Sequence, residues 1–352
     1  MNRFRHCALA LCLGLTAALN QAEAAVVLVY HHVSDQTPAS TSVTPARFAA
    51  HLDYLEEHEF TVWPVERLLE AVIGQAEPVP ERVVAITFDD AYRSVHETAW
   101  PMLRKRGWPF AVFVNTDAID AARAPYMTWD DLRDLHADQV TIGNHSASHA
   151  HLIARQAGES QRAWRQRVRA DLDKAQRRIA EEIGDEVTLF AYPYGEDSAA
   201  LATLVDETHR FALVQRSGAV GPETDPLAVP RFPMASGFDG AERFALAVHS
   251  RALPVIAAAP VPPGDGVRDP VQSLQLTIAE GAYRRGQIGC FLSTGAPLET
   301  SLTEGPPHRI DITVDGLGST GRNKINCTAP AIDGSGDFFW YAFQWVQEAV
   351  RD

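Results

Sequence analysis

Asp89 and Asp90 stand side by side at the end of the apolar run Val83-Val84-Ala85-Ile86-Thr87-Phe88. Such a run reads as a strand buried on both faces, as in a parallel sheet covered by helices. The carboxyl end of such a strand is where α/β sheets and barrels bind ligands. Two acids there suit a metal ion or a proton transfer; an Asp that starts a turn or caps the next helix is the plainer alternative. A second segment, His145-Ser146-Ala147-Ser148-His149, follows an expected strand over residues 140–143. Histidines four apart share one face of a helical turn, which lets both imidazoles reach one ion. One carboxylate and two histidines leave a zinc ion a position for water, as catalytic sites do and closed structural sites do not. A third segment, Phe190-Ala191-Tyr192-Pro193-Tyr194-Gly195-Glu196, sets proline and glycine around Tyr194. That makes a tight turn after a strand and could aim a backbone N–H at a developing oxyanion.

These residues need a frame, and the pattern around them supplies one. Residues 26–30 read as a short buried strand ending in His31-His32, and Thr44-Pro45 as an N-cap with proline opening a helix. Helical patterns over 65–73, 95–106 (closed by Gly107), 129–137 (capped by Thr128 and Asp131) and 159–183 (closed by Gly184) alternate with expected strands at 110–114, 189–191, 211–214 and 227–229. Strand and helix thus alternate about seven times over residues 25–250, which implies parallel strands joined by right-handed crossovers, as a barrel or a doubly wound sheet. Function then belongs on the loops after the strands.

The 352 residues suffice for one large domain and a smaller one, and the net charge of −14 argues against nucleic acid as a partner. Met1 to His6 is basic, residues 7–19 are apolar but short for a membrane span, and Ala22-Glu23-Ala24 supplies a small-x-small cleavage site. Residues 1–24 therefore read as a signal peptide, with the product periplasmic or extracellular and no transmembrane segment beyond. Its removal leaves Cys290 and Cys327, which in an exported chain read as a disulfide more readily than as a zinc pair. Residues 25–255 read as the catalytic domain. Residues 256–268, rich in proline, alanine and glycine, read as a linker. Period-two alternation over 269–352 reads as a small antiparallel β-sandwich. Its aromatic strand, Phe339, Tyr341, Phe343 and Trp345, is core or, alternatively, a sugar-stacking platform.

Taken in order, Tyr30-His31-His32, Thr87-Phe88-Asp89-Asp90, His145-x-x-x-His149, Tyr192-Pro193-Tyr194-Gly195 and Arg231-Phe232-Pro233 resemble the polysaccharide deacetylase family, carbohydrate esterase family 4. The opening block looks like the branch acting on poly-β-1,6-N-acetylglucosamine. The resemblance implies a distorted (β/α)7 barrel and a divalent metal, usually zinc, with cobalt or nickel as substitutes. It implies Asp90, His145 and His149 as metal ligands, Asp89 as general base and the N–H of Tyr194 as oxyanion donor. His32, Pro193 and Arg231 are expected at the substrate. The chain departs from the family in having Ala191 where many members carry the arginine that orients the catalytic aspartate; Arg216 and Arg231 are the candidates to replace it. The late histidine serving as general acid has only His249 as a counterpart, in a position where a surface histidine is the plainer reading. The implied function is deacetylation of an N-acetylated polysaccharide, poly-N-acetylglucosamine, chitin or peptidoglycan. The alternatives are a carbohydrate-binding protein on the same scaffold and an O-acetyl esterase of xylan-type glycans.

Overall fold

Apolar, β-branched runs become strands covered on both faces. The computed structural model describes residues 24–261, 271–314, 316 and 320–347; the expected signal peptide lies outside them apart from Ala24. Strand β1 (Ala24–Tyr30) leads through a short parallel pair, β2 (His32–Val33) and β3 (Ser42–Val43), into helix α1 (Pro45–Glu57), where Thr44 caps by accepting from Arg47 N. Then come β4 (Thr61–Val62), α2 (Val65–Val72) and β5 (Arg82–Phe88). The expected helix over 95–106 begins as a π turn at Val95–Ala99 and becomes α3 at Trp100–Arg106. Pro101, lacking an N–H, cannot donate one turn back, which favours the irregular start. β6 (Ala111–Val114), α4 (Thr116–Asp120), α5 (Trp129–Ala137), β7 (Thr141–Asn144), α6 (Gln161–Ile183), β8 (Leu189–Ala191), α7 (Ala199–Val205), β9 (Phe211–Leu213), β10 (Phe232–Pro233) and α8 (Ala241–Val248) complete this part.

The strands form one curled parallel sheet in the order β10-β1-β5-β6-β7-β8-β9, with β4 beside β5. Alternate residues of one strand enter different cores. Val26, Leu28, Val84 and Ile86 pack with α1, α5 and α8, whereas Ala25, Val27, Val83 and Ala85 pack with α2 and with Phe113 and Leu213. Residues 227–229 give only one parallel bridge, Val229 to Leu213, where a strand was expected; a few residues on, Phe232 pairs with Leu28. The segment 229–233 thereby runs from one edge of the curled sheet to the other.

The remaining strands are β11 (Arg251–Ala252), β12 (Val255–Val261), β13 (Ser273–Ile278), β14 (Gly289–Leu292), β15 (Thr300–Thr303), β16 (His308–Thr313), β17 (Gly321–Pro330) and β18 (Phe338–Gln347). They make two four-stranded sheets, β11-β18-β17-β14 and β12-β13-β16-β15, over a shared core that includes Leu274, Leu276, Ile310, Ile312, Ile325 and Trp345. The linker expected at 256–268 is corrected in its first part. Residues up to Val261 are β12, an edge strand, where Pro260 is tolerated because an outer strand need not donate every N–H; residues 262–270 lie outside the described ones. Phe339 and Trp345 sit in the sandwich core with Tyr341 and Phe343 packed against it, so the aromatic row is core. The residues between them face the other way: Trp340 belongs to the barrel's core and packs edge-on against Phe232 at 5.4 Å. Among the described residues no helix is long and apolar enough to cross a membrane.

Cys290 and Cys327 are bonded and sit opposite each other on β14 and β17, 37 residues apart in sequence. Replacing both by serine removes a constraint on the unfolded chain worth about 3–4 kcal/mol. Urea unfolding followed by tryptophan fluorescence should register that loss in the sandwich; a loss under about 1 kcal/mol would show the crosslink to be idle.

Candidate active site

The ladder of β5 runs one residue past the strand, Asp89 N donating to Tyr30 O at 2.9 Å. The chain then turns sharply through Asp90 (φ 70°) and Ala91 (φ 54°), both in the left-handed region, so the two carboxylates part company. Asp89 has no exposed surface. Its Oδ1 accepts from Arg231 Nη1 at 2.7 Å, and its Oδ2 from Arg231 Nη2 at 2.8 Å and Gln215 Nε2 at 3.0 Å. Arg231 is itself fully buried, with Nε on Val214 O at 3.0 Å and Nη1 also on Thr87 Oγ1 at 3.2 Å. Arg231 therefore does not meet substrate, as was expected of it; it sits behind Asp89 because the segment 229–233 crosses the mouth of the curled sheet at that point. Of the two arginines considered in place of one at position 191, Arg231 is the one whose guanidinium meets Asp89. Arg216 pairs instead with Asp197, at 2.9 Å. Burial alone would raise the Asp89 carboxyl, but the charge and paired hydrogen bonds of Arg231 hold it well below the ordinary carboxylate range.

Asp90 faces two histidines. Its Oδ1 lies 3.1 Å from His149 Nε2 and 3.6 Å from His145 Nε2, and one ligand atom from each of the three residues fits within 4.8 Å of the others. His145 Nδ1 lies 2.6 Å from Ala191 O, a contact that requires the proton on Nδ1 and leaves the Nε2 lone pair toward Asp90. Burial lowers His145 to about 4, so the ring stays neutral, the state in which imidazole ligates. Burial pushes Asp90 up, but the hydrogen bond to His149 and the neighbouring His145 outweigh it and bring the carboxyl to about 2. Asn115 Nδ2 donates to Asp90 Oδ1 at 3.4 Å, while Asn115 Oδ1 is buried with no partner among the described residues. Two imidazole nitrogens and a carboxylate oxygen converging in this way fit zinc or a neighbouring divalent ion.

The helical turn expected at 145–149 is absent. Residues 145–149 are a loop with Ser146 (φ 64°) and His149 (φ 53°) left-handed. Asn144 Oδ1 accepts from Ser146 N at 2.8 Å, Ser146 Oγ from His149 N at 3.0 Å, and Asp171 of α6 from Ala147 N at 2.8 Å. Side-chain oxygens compete with helical bonding in this way, and the histidines still converge, their rings 4.9 Å apart.

Tyr194 (φ 59°) and Gly195 (φ 67°) make the expected tight turn, opened by the buried Pro193. The Tyr194 ring lies 4.6 Å from that of His149 and stacks on His151 at 4.0 Å. A side chain at position 195 would put its Cβ 2.4 Å from Gln215, so the turn is pressed onto that residue. His32, expected at the substrate, is only 6% exposed, stacks on Tyr92 at 3.6 Å and lies 3.4 Å from Ser94 Oγ through Nδ1. His249 bonds to Tyr54 Oη at 3.2 Å beside His58 and Phe60, and the carboxylate near it is that of Asp337, at 3.9 Å. Among the described residues nine non-glycine positions have positive φ, and Asp90, Ala91, Ser146, His149 and Tyr194 are five of them. Strain gathers at functional sites, and the sequence gives no signal of it. Gln215 and Asn115 were also not visible beforehand, since neither belongs to a spaced motif.

The polysaccharide deacetylase family model matches residues 76–210. The poly-beta-1,6-N-acetyl-D-glucosamine N-deacetylase of Escherichia coli (strain K12) is 24% identical over 206 residues, 49% of this chain and 30% of that protein. The protein of the same name from Staphylococcus aureus (strain MSSA476) is 21% identical over 210 residues, 58% of this chain and 71% of that one. The solved structure of IcaB from Ammonifex degensii aligns with a TM-score of 0.57 at 22% identity, over 65% of this chain and 98% of that one, a likeness of fold.

Arg231→Leu leaves Asp89 buried without its counter-charge, at a cost of about 3–5 kcal/mol near neutral pH. The depressed Asp89 stabilises the native chain above the ordinary carboxylate value of about 4 and stops doing so as pH falls through its own lower value. Without Arg231 the folded value rises above the unfolded one and the sign reverses. Urea unfolding should therefore show a deficit in the variant that is large at pH 7 and shrinks toward pH 4.5. An equal deficit at both would mean that Arg231 is not what keeps Asp89 ionised.

Proposed function

We propose that this chain, a polysaccharide deacetylase by its domain over residues 76–210, is a metal-dependent hydrolase of the acetamide groups of a poly-β-1,6-N-acetylglucosamine-like polymer. The observation that carries this is the division of labour between adjacent acids: Asp90 turned toward His145 and His149, Asp89 locked on Arg231. Asp90, His145 and His149 would hold the ion, zinc by its donor set. A divalent ion bound there supplies Lewis acidity, polarising an acetyl carbonyl and acidifying a water.

The chain's own residues account for the rest. A carboxylate held far below its usual range is a poor base toward bulk water and is matched only to an acidified one. Asp89 Oδ2 already accepts two hydrogen bonds and Oδ1 one, so Oδ1 keeps a lone pair for the proton. Shielded from solvent, Asp89 takes that proton only from a molecule held beside the three ligands. The N–H of Tyr194 is the donor for the oxyanion. The proton then passes to the leaving nitrogen, and acetate and a free amine result. That polymer is supported as substrate by the two relatives above, both named as its deacetylases. The disulfide, together with the basic and apolar leader, supports export to the periplasm or beyond.

Acetate release from acetylated β-1,6-glucosamine oligomers by zinc-loaded protein tests the reading. Asp89→Asn should lower kcat by about a thousandfold or more with zinc content intact, as loss of a general base does. His145→Ala should lower zinc content itself. Undiminished acetate release by both variants would refute the assignment.

A further inference from the structure

Strands β17 and β18 pair antiparallel with Lys324 opposite Gln344 and Arg322 opposite Val346. Ile325, Cys327 and Trp345 point into the sandwich core, so by the two-residue period Arg322, Lys324 and Gln344 share the opposite face, the one turned to the barrel. All three end on main-chain oxygens of the site loops. Arg322 donates to Tyr194 O, Gln344 Nε2 to Gly195 O at 2.7 Å, and Lys324 Nζ to Gln215 O. Arg322 Nε also lies 3.9 Å from Glu196, whose carboxylate holds His151 Nδ1 at 2.8 Å.

These contacts reach the chemistry by two short routes. Tyr194 and Gly195 are consecutive left-handed residues, a conformation that needs outside support at Tyr194, and their carbonyls are tied down by two separate side chains. Gln215, held by its carbonyl, donates through its side chain to Asp89. Lys324 is half-buried and its amine is anchored on the Gln215 carbonyl; burial together with the nearby Arg322 lowers the amine to about 8.

We propose that the C-terminal sandwich is a positioning element of the active site: Arg322, Lys324 and Gln344 hold the Tyr194–Gly195 turn and Gln215 in working register. This rests on the deacetylase reading. The three are positioning residues, since they touch backbone and not substrate. A glycan-binding module would act differently, by raising affinity for long polymer while leaving the rate on small substrates alone.

The test uses the full chain loaded with zinc and the variants Arg322→Ala, Lys324→Met and Gln344→Leu, with Lys324→Arg and Arg322→Lys as conservative controls. Two substrates are assayed: acetylated β-1,6-glucosamine oligomers and nitrophenyl acetate. Each disruptive variant should lower kcat on both by on the order of tenfold with KM unchanged, as small misplacements of catalytic groups do. Zinc content and melting temperature should stay near those of the parent, and Lys324→Arg should restore most of the rate. Unchanged kcat, or a rise in KM confined to the oligomer, would overturn the proposal. Amide exchange over residues 192–197 and 213–217 separates the two readings. If the parent chain released no acetate, the deacetylase reading would fail, while faster exchange in Lys324→Met and Gln344→Leu would uphold the tether and unchanged exchange would refute it.

Discussion

Everything at the site depends on a buried ion pair. Asp89 and Arg231 are both without exposed surface, and each would be prohibitively costly to bury alone. Their two parallel hydrogen bonds fix the carboxylate plane, and with it the direction of the remaining lone pair. The pair also fixes the segment 229–233, because a guanidinium that must reach Asp89 leaves the backbone on either side little choice of path. Val229 then meets β9 and Phe232 meets β1, so a single electrostatic requirement and the closing of the sheet are satisfied together.

What was readable in advance was local. The apolar run of β5, the cap of α5 at Thr128 and Asp131, and the span of α6 between Ser160 and Gly184 depend on residues within a few positions of one another, and periodicity and capping report such things directly. The grouping of Asp90, His145 and His149 was readable for a related reason: their residue types are scarce and their chemistry limits what they can do. The partnership of Asp89 with Arg231 spans 142 residues and leaves no local mark, so Arg231 was placed at the substrate although it was also a candidate for orienting the base. The loop at 145–149 was misjudged because spacing four apart is what a helix gives, and only the competing bonds from Asn144, Ser146 and Asp171 show that another path serves as well. The strand β12 was hidden because proline and alanine are as acceptable on a sheet edge as in a connection.

The two parts of the chain are less separate than their composition suggests. β18 is the clearest case: Phe339 and Trp345 complete the sandwich while Trp340 completes the barrel, so one strand contributes to two cores. β11, which follows the last barrel helix, joins the sheet of β18 in parallel, so residues 251–252 belong by pairing to the sandwich although they lie within the span read as the catalytic domain.

The reach from Asp89 to Arg231 also imposes an order in time. In a chain that emerges amino end first, β1, β5 and the histidine loop are available well before residue 231. Until then the acid at the end of β5 has no counter-charge, and a fully closed interior around it is unfavourable. The early strands have their apolar partners in α1 and α2 at hand, whereas the charge that makes burial of Asp89 affordable comes only with 229–233. The residue that neutralises Asp89 thus lies on the same late segment that links the two edges of the sheet, so the buried acid and the joining of those edges draw on one stretch of chain.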